Sequence, residues 1–176
     1  MSYAVVLYFD YESSDRIYAV KQLLTDNGIK INEIAKPHIS LAIYDDIDEQ
    51  ELIAKIKEFT RRRIDLFLTL SYIGIFPSNE NAVFLAPKVT QNLLDFHFEF
   101  LQFMSGLKSK LNAYYDVTAW VPHCTIGMNI TDTELSKAVT ILKDNAKLPI
   151  EGRLDRIAIV KFPPTEEKFV TGFSAV

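Results

Sequence analysis

One cysteine, Cys124, is the whole thiol content of this 176-residue chain. It cannot form an internal disulfide, and no cysteine pair or cluster exists to hold zinc. Glycine and proline are sparse, at 6 and 7 residues, and no linker or low-complexity stretch divides the sequence. A single domain over 1–176 is expected. No run approaches the roughly 18 apolar residues that a membrane-spanning helix needs. The opening apolar run breaks at Asp10 and has no basic leader, unlike a signal peptide. These absences point to a reducing, cytoplasmic setting. A basic excess is missing too: 19 Lys and Arg stand against 23 Asp and Glu, a net charge of −4. That argues against sequence-blind binding of polyanions. Neither familiar glycine-rich phosphate loop occurs.

What is present is an ordinary globular balance, 48% hydrophobic and 24% charged. A chain of this length buries roughly 70% of its unfolded surface, so it folds without disulfides or a structural metal. Strand and helix signals alternate along it. Val5 to Phe9 reads as a buried strand. In the helix that follows, Ser13 or Ser14 is the expected cap, Ile17, Val20, Leu23 and Leu24 fall at helical spacing, and Gly28 is the stop. Residues 37–44 form the next strand. Asp48 and Glu51 then read as a capping box for a helix bearing Leu52, Ile53, Ile56 and Phe59. Residues 64–76 alternate as a long strand, closed by Pro77 and a Ser78-Asn79-Glu80-Asn81 turn. A strand over 82–86 follows. A long helix comes next, capped by Thr90, with Leu93, Leu94, Leu101, Met104, Leu107 and Leu111 on its buried side. A strand over 122–128 leads to a helix capped by Thr131 and Glu134. The chain closes with a strand over 150–162, Pro163-Pro164, and an edge strand over 168–173.

The order recurs. Ala4-Val5-Val6-Leu7 resembles Ala82-Val83-Phe84-Leu85, 78 positions on. Pro37-His38-Ile39-Ser40-Leu41 resembles Pro122-His123-Cys124-Thr125-Ile126 at an offset of 85, and Phe76-Pro77 resembles Phe162-Pro163 at 86. Matching strings in the same order predict two copies of a strand–helix–strand–helix–strand unit. They would form two lobes, approximately 1–77 and 78–176, related by an approximate two-fold axis, with some exchange of strands between them. Repeats of this length are not solenoids.

The chemistry lies on the two matching strands. Residues i and i+2 of a strand share a face. His38, Ser40, Ala42 and Tyr44 are therefore expected on one face, and Ile39, Leu41 and Ile43 on the other. His123, Thr125, Gly127 and Asn129 repeat the first pattern, with Cys124, Ile126 and Met128 opposite. Each strand thus offers an apolar face to a core, and on its other face an imidazole, a hydroxyl and a very small residue that leaves room. Two imidazoles brought across one hollow can be held in opposite protonation states, one removing a proton while the other donates one. The Ser40 and Thr125 hydroxyls suit the non-bridging oxygens of a phosphate. A phosphodiester substrate follows, with no metal or other cofactor required.

Other chemistries fit these residues less well. Asp45 and Asp46, the nearest acids, read as turn and helix-start residues rather than as the orienter of a triad. Only two good zinc ligands are placed. Cys124 and His97 read as packing residues, and Trp120 as lying on the packing side. Tyr44 is a candidate for stacking on a base or ribose. Lys36 and Lys161 are candidates for a flanking phosphate, and Arg61-Arg62-Arg63 for a helix end or an RNA backbone.

The paired motifs, His38-Ile39-Ser40-Leu41 and His123-Cys124-Thr125-Ile126, resemble the signature of the two-histidine (2H) phosphoesterase superfamily. Over nearly the whole chain, the sequence is most similar to its 2′-5′ RNA ligase-like and cyclic phosphodiesterase branch. The resemblance implies a bilobal α+β fold, with antiparallel sheets lining a central cleft and helices outside. It implies hydrolysis of 2′,3′-cyclic phosphate RNA ends, or of small cyclic nucleotides, to a 2′-phosphate. In some relatives it implies joining of RNA ends through a 2′-5′ bond. The family's motif residues carry over as His38, Ser40, His123 and Thr125, with His123 as the base and His38 as the acid. Serine at 40 replaces the commoner threonine and keeps the hydroxyl. The alternative on the same fold is a non-catalytic module that binds RNA ends or phosphate.

Overall fold

The computed structural model describes residues 1–31, 36–61, 63–77 and 81–173. The first strand, β1 (Ser2–Phe9), is buried along nearly its whole length. Helix α1 (Tyr11–Asp26) starts earlier than the serines suggest: the Asp10 carboxylate accepts the Ser13 N–H at 2.9 Å. A carboxylate outcompetes a hydroxyl at a helix N-terminus because it also meets the positive end of the dipole. Ser13 is instead buried, and its hydroxyl accepts the Arg153 N–H at 3.1 Å. Gly28, at φ +77°, ends the helix as expected.

Strand β2 (His38–Asp45) leads to α2 (Glu49–Thr60), capped by Asp48. Strands β3 (Leu66–Phe76) and β4 (Ala82–Pro87) follow. Arg62 and residues 78–80 of the expected turn lie outside the described residues. Helix α3 (Gln91–Phe103) has the expected Thr90 cap but stops well short of Leu111. At Ser105-Gly106 the chain tightens into a 3₁₀ turn over Ser105–Lys110, then another over Ala113–Tyr115. Glycine pays backbone entropy in a helix and serine competes for its hydrogen bonds, so the apolar spacing beyond Phe103 does not sustain one. Strand β5 (Cys124–Gly127), helix α4 (Asp132–Asn145) with a complete Thr131–Glu134 capping box, and strands β6 (Ile150–Phe162) and β7 (Glu166–Gly172) complete the chain.

All strand pairings are antiparallel, in the order β2-β1-β6-β3-β4-β5, with β7 also on β6. The fold is α+β. The long strand β6 joins the two ends of the sheet: Ile150–Leu154 pairs with β3, and Leu154–Phe162 with β1. The first strand of the chain therefore pairs with the last strand of the repeat. The pairings repeat as the strings do. Val5 opposes Ala42 and Val6 opposes Ser40; Val83 opposes Gly127 and Phe84 opposes Thr125. In each case one residue, Leu41 or Ile126, is left over, which is a β-bulge. β2 and β5, the two ends of the path, also come into contact.

One face of the sheet is covered by the main core, which includes Val5, Leu7, Ile39, Leu41, Ile126 and Ile157. The other face is open and carries a small apolar floor of Ala4, Val6, Tyr8, Ala158 and Val160. Where β6 passes from β3 to β1, Gly152 has the Phe9 ring against it: a Cβ there would lie 2.7 Å from Phe9 Cε1. Phe9 is fully buried, so its ring has nowhere to go. Gly152→Val is expected to lower the free energy of unfolding by about 1–3 kcal/mol. An unchanged urea midpoint would show that the ring moves aside freely.

Candidate active site

The bulges decide which side chains share the open face. Up to Ser40, alternation along β2 holds: His38 and Ser40 stand opposite Tyr8 and Val6 on that face, while Ile39 and Leu41 are buried beneath. The extra residue then reverses the order. Ala42 joins the core, Ile43 packs on the open-face floor, and Tyr44 turns into the core. Tyr44 is 1% exposed, so it does not share the histidine face as counting by twos expected. β5 behaves in the same way: His123 and Thr125 are half-buried, but Gly127 faces inward, where a Cβ would press on Ile130 and Ile31. Neither Ala42 nor Gly127 clears the space above the sheet.

The two imidazoles are held alike. His38 Nδ1 lies 2.7 Å from the Lys36 carbonyl, and His123 Nδ1 lies 2.7 Å from the Val121 carbonyl. A carbonyl only accepts, so each Nδ1 carries the proton and each Nε2 is the nitrogen left for chemistry. Burial lowers the pKa of both rings. At His38 the Lys36 carbonyl partly offsets burial, and the charges of Lys21 and His123 then depress it further. Around His123 the packing is aromatic: Phe76 meets it edge-on at 4.9 Å and Phe84 at 5.3 Å. The Phe84 ring lies against Gly74, where a Cβ would sit 2.1 Å from it. Gly74 is therefore what lets a phenyl ring lie beneath the second imidazole. Tyr8 plays the corresponding part for His38, edge-on at 6.5 Å.

Among the described residues no strand lies on the outer edge of β2; the chain between α3 and β5 covers it. Asn112 donates its N–H to the Ile43 carbonyl at 2.8 Å, and Leu111 bridges to Tyr44. The indole N–H of Trp120 donates to the Ser40 carbonyl at 2.9 Å, and His97 bonds the Leu41 carbonyl at 3.1 Å. These two rings stack on each other, 3.8 Å apart and 8° from parallel. Burial raises the pKa of the Tyr115 phenol, and Ser40 partly offsets it. The first motif's bulge is thus held by rings from the second half of the chain. His97 does serve structure, as expected. Sequence reasoning missed the role of Trp120, although it is the chain's only tryptophan and stands three residues before His123.

The remaining candidates are spread out. Lys36 lies beside His38, but its charge is paired with Glu167 at 2.9 Å. Lys161 stands across from Tyr3 on β1, and Tyr3 faces the main core; Lys161 is therefore on the face opposite the imidazoles. Arg63 pairs with Glu99 and lies over the Phe59 ring. Cys124 is fully buried, with its thiol pushed up to about 11, mainly by burial. Among the described residues no three His, Cys, Asp or Glu converge as a metal site, and no helix is long and apolar enough to cross a membrane. The cavity of about 560 Å³ at the start of α1 holds neither histidine.

Residues 10–164 match the family model of the 2′-5′ RNA ligase superfamily. The chain belongs to that family, the two-histidine phosphoesterases. Solved structures share the fold at low identity. TT0787 of Thermus thermophilus superposes with a TM-score of 0.70 at 14% identity, covering 99% of each chain. LigT of E. coli, solved with NADP+, gives 0.60 at 11% identity, covering 98% of this chain and 96% of its own. Usb1 of Kluyveromyces marxianus gives 0.56 at 10%, covering 98% and 97%. No curated protein matches this two-histidine phosphoesterase by sequence.

Two tests follow. Burial pushes the His97 imidazole down to about 4 from an ordinary 6.5, against the smaller raising effects of the Leu41 carbonyl and Asp116. The unfolded chain takes up a proton that the folded one refuses between those values, so stability falls as pH drops through that window. The expected loss is at most roughly 3 kcal/mol, and it should be missing from the difference curve of His97→Gln in urea unfolding at pH 7 and pH 4. Gly74→Ala should displace the Phe84 ring and cut turnover by about tenfold, with partial recovery in the Gly74→Ala/Phe84→Leu double variant. No recovery would show that the loss comes from elsewhere.

Proposed function

We propose that the chain is a phosphodiesterase that opens 2′,3′-cyclic phosphates, at RNA ends or in small cyclic nucleotides, by acid–base catalysis between His38 and His123. The observation that carries this reading is the matched pair of carbonyl-anchored imidazoles, each with its Nε2 left for chemistry, at the start of β2 and immediately before β5. Ser40 and Thr125 supply hydroxyl donors beside them for the phosphate oxygens. Two related structures, LigT with 3′-AMP and Usb1 with uridine monophosphate, support a nucleotide substrate.

In this mechanism one imidazole takes a proton from water. The water oxygen attacks phosphorus, the bond from phosphorus to O3′ breaks, and the other imidazole protonates O3′. One water is consumed, and the products are a 2′-phosphate and a free 3′-hydroxyl. The resemblance assigns the base role to His123. Burial is the main cause that holds both pKa values down, with the charges of Lys21 and His123 adding to it at His38.

On a 2′,3′-cyclic mononucleotide, His38→Ala and His123→Ala should each lose on the order of 10²–10⁴ in kcat. Wild-type activity should survive chelator. Both pKa values lie below the ordinary 6.5, so kcat/KM should trace a bell with its maximum on the acid side of that value. With bis(p-nitrophenyl) phosphate, whose leaving group needs no proton, His38→Ala should recover most of its activity and His123→Ala little. Recovery in His123→Ala instead would exchange the roles. Binding that weakens with salt, with no product in a single-turnover assay, would establish the non-catalytic alternative.

A further inference from the structure

Glu167 of β7 takes no part in the proton transfers described above, yet its carboxylate reaches the surroundings of His38. We propose that Glu167 is a positioning residue for His38: its carboxylate ties the Lys36 side chain to the Tyr8 hydroxyl, and so fixes the two residues that hold the first imidazole. The inference rests on the phosphodiesterase reading for what His38 does, and adds what sets the angle of its ring.

The first support is placement. β7 has a bulge of its own: Ile159 opposes Phe169 and Val160 opposes Glu167, which leaves Lys168 over. Val160 belongs to the open-face floor, and directly opposed residues share a face, so Glu167 stands on the imidazole side. Lys168 pairs instead with Glu49 and Glu166. Strands β1 and β6 lie between β2 and β7. Lys36 precedes β2, so its side chain crosses the open face to meet Glu167 at 2.9 Å, passing 5.3 Å from the centre of the Tyr8 ring.

The second is convergence. The Tyr8 hydroxyl donates to the Glu167 carboxylate, while the Tyr8 ring meets His38 edge-on at 6.5 Å. The Lys36 carbonyl accepts the His38 Nδ1–H at 2.7 Å. One carboxylate thus grips both residues that touch the imidazole. An exposed ion pair by itself contributes little. The stronger hold is on Tyr8, which is 3% exposed, because a buried hydroxyl needs an acceptor and Glu167 supplies it. With the Lys36 side chain held over Tyr8, and Pro37 keeping that residue extended, the anchoring carbonyl is restrained from both sides.

The third is charge. Burial works against the ionised Glu167 carboxylate, but the hydrogen bonds from Lys36 and Tyr8 and the charges of Lys36 and Arg156 outweigh it and hold the carboxyl below its ordinary pKa. It stays ionised wherever the imidazoles titrate. At the second motif Val121 takes the place of Lys36 and has no charge to tie, so the device serves one ring and leaves His123 as an internal control.

Nitrogen NMR of the imidazoles at about pH 8, above the ordinary histidine range, reads the tautomer of each neutral ring without substrate. Wild type should show His38 protonated on Nδ1. In Glu167→Ala a second His38 tautomer, with its proton on Nε2, should appear while His123 is unchanged. On adenosine 2′,3′-cyclic phosphate that variant should lose about tenfold in kcat with KM unchanged. Glu167→Gln, whose amide oxygen still accepts a hydrogen bond, should recover most of the loss. Lys36→Met/Tyr8→Phe removes both partners, so adding Glu167→Ala to that pair should cost nothing more. An unchanged His38 tautomer in Glu167→Ala, equal changes at both rings, or a full further loss in the triple variant would overturn the proposal. A tautomer shift at His38 in a protein that turns over no cyclic nucleotide would uphold the positioning role and remove the phosphodiesterase reading beneath it.

Discussion

An unpaired residue in each of two short strands is the constraint on which the rest of this structure depends. Leu41 and Ile126 each break a ladder that would otherwise alternate without interruption. Before the bulge, imidazole and hydroxyl share the open face. After it, the facing reverses: Ala42, Tyr44 and Gly127 point into the core and Ile43 comes to the open-face floor. A bulge also sharpens local twist, and the two strands that carry one are those that meet at the ends of the sheet. The motif is therefore more than a pair of residue types at a spacing of two. It is the last regular stretch before a deliberate fault in the strand.

A fault in a strand leaves backbone carbonyls to be satisfied. At the first motif that is done by Trp120 and the buried, neutral His97, two stacked rings supplied from far along the chain. Their cost is acid sensitivity, since burial disfavours the charged form of His97. On the imidazole side, the carbonyls of Lys36 and Val121 fix the tautomers. Each of those residues precedes a proline, which restricts it to extended conformations. The local sequence thus sets the angle at which each carbonyl meets its ring.

The two halves are alike in backbone and unlike in surroundings. His38 has Tyr8 beside it and the charges of Lys21 and His123 acting on it; His123 has two phenyl rings. Repulsion between two charged imidazoles already splits their titration into two steps, and unlike surroundings give each ring a role of its own within the pair. The asymmetry arises at positions where the repeat has diverged. Val6 corresponds to Phe84, and Phe84 is accommodated only because Gly74 lies across from it.

The sequence by itself determined the repeat, the two histidines, their partner hydroxyls and nearly every strand and helix. Those signals are local, carried by spacing over a few residues. Only the tertiary structure decided the facing of Tyr44, Ile43 and Gly127, because a count by twos fails as soon as one residue is added, and nothing in the string Ser40-Leu41-Ala42 announces the addition. It also decided that Lys161 points away and that Lys36 is spent on Glu167. Trp120 and Ser40 are 80 residues apart, and their hydrogen bond is set by how the second half lies along the free edge of β2, a contact that no short-range pattern encodes.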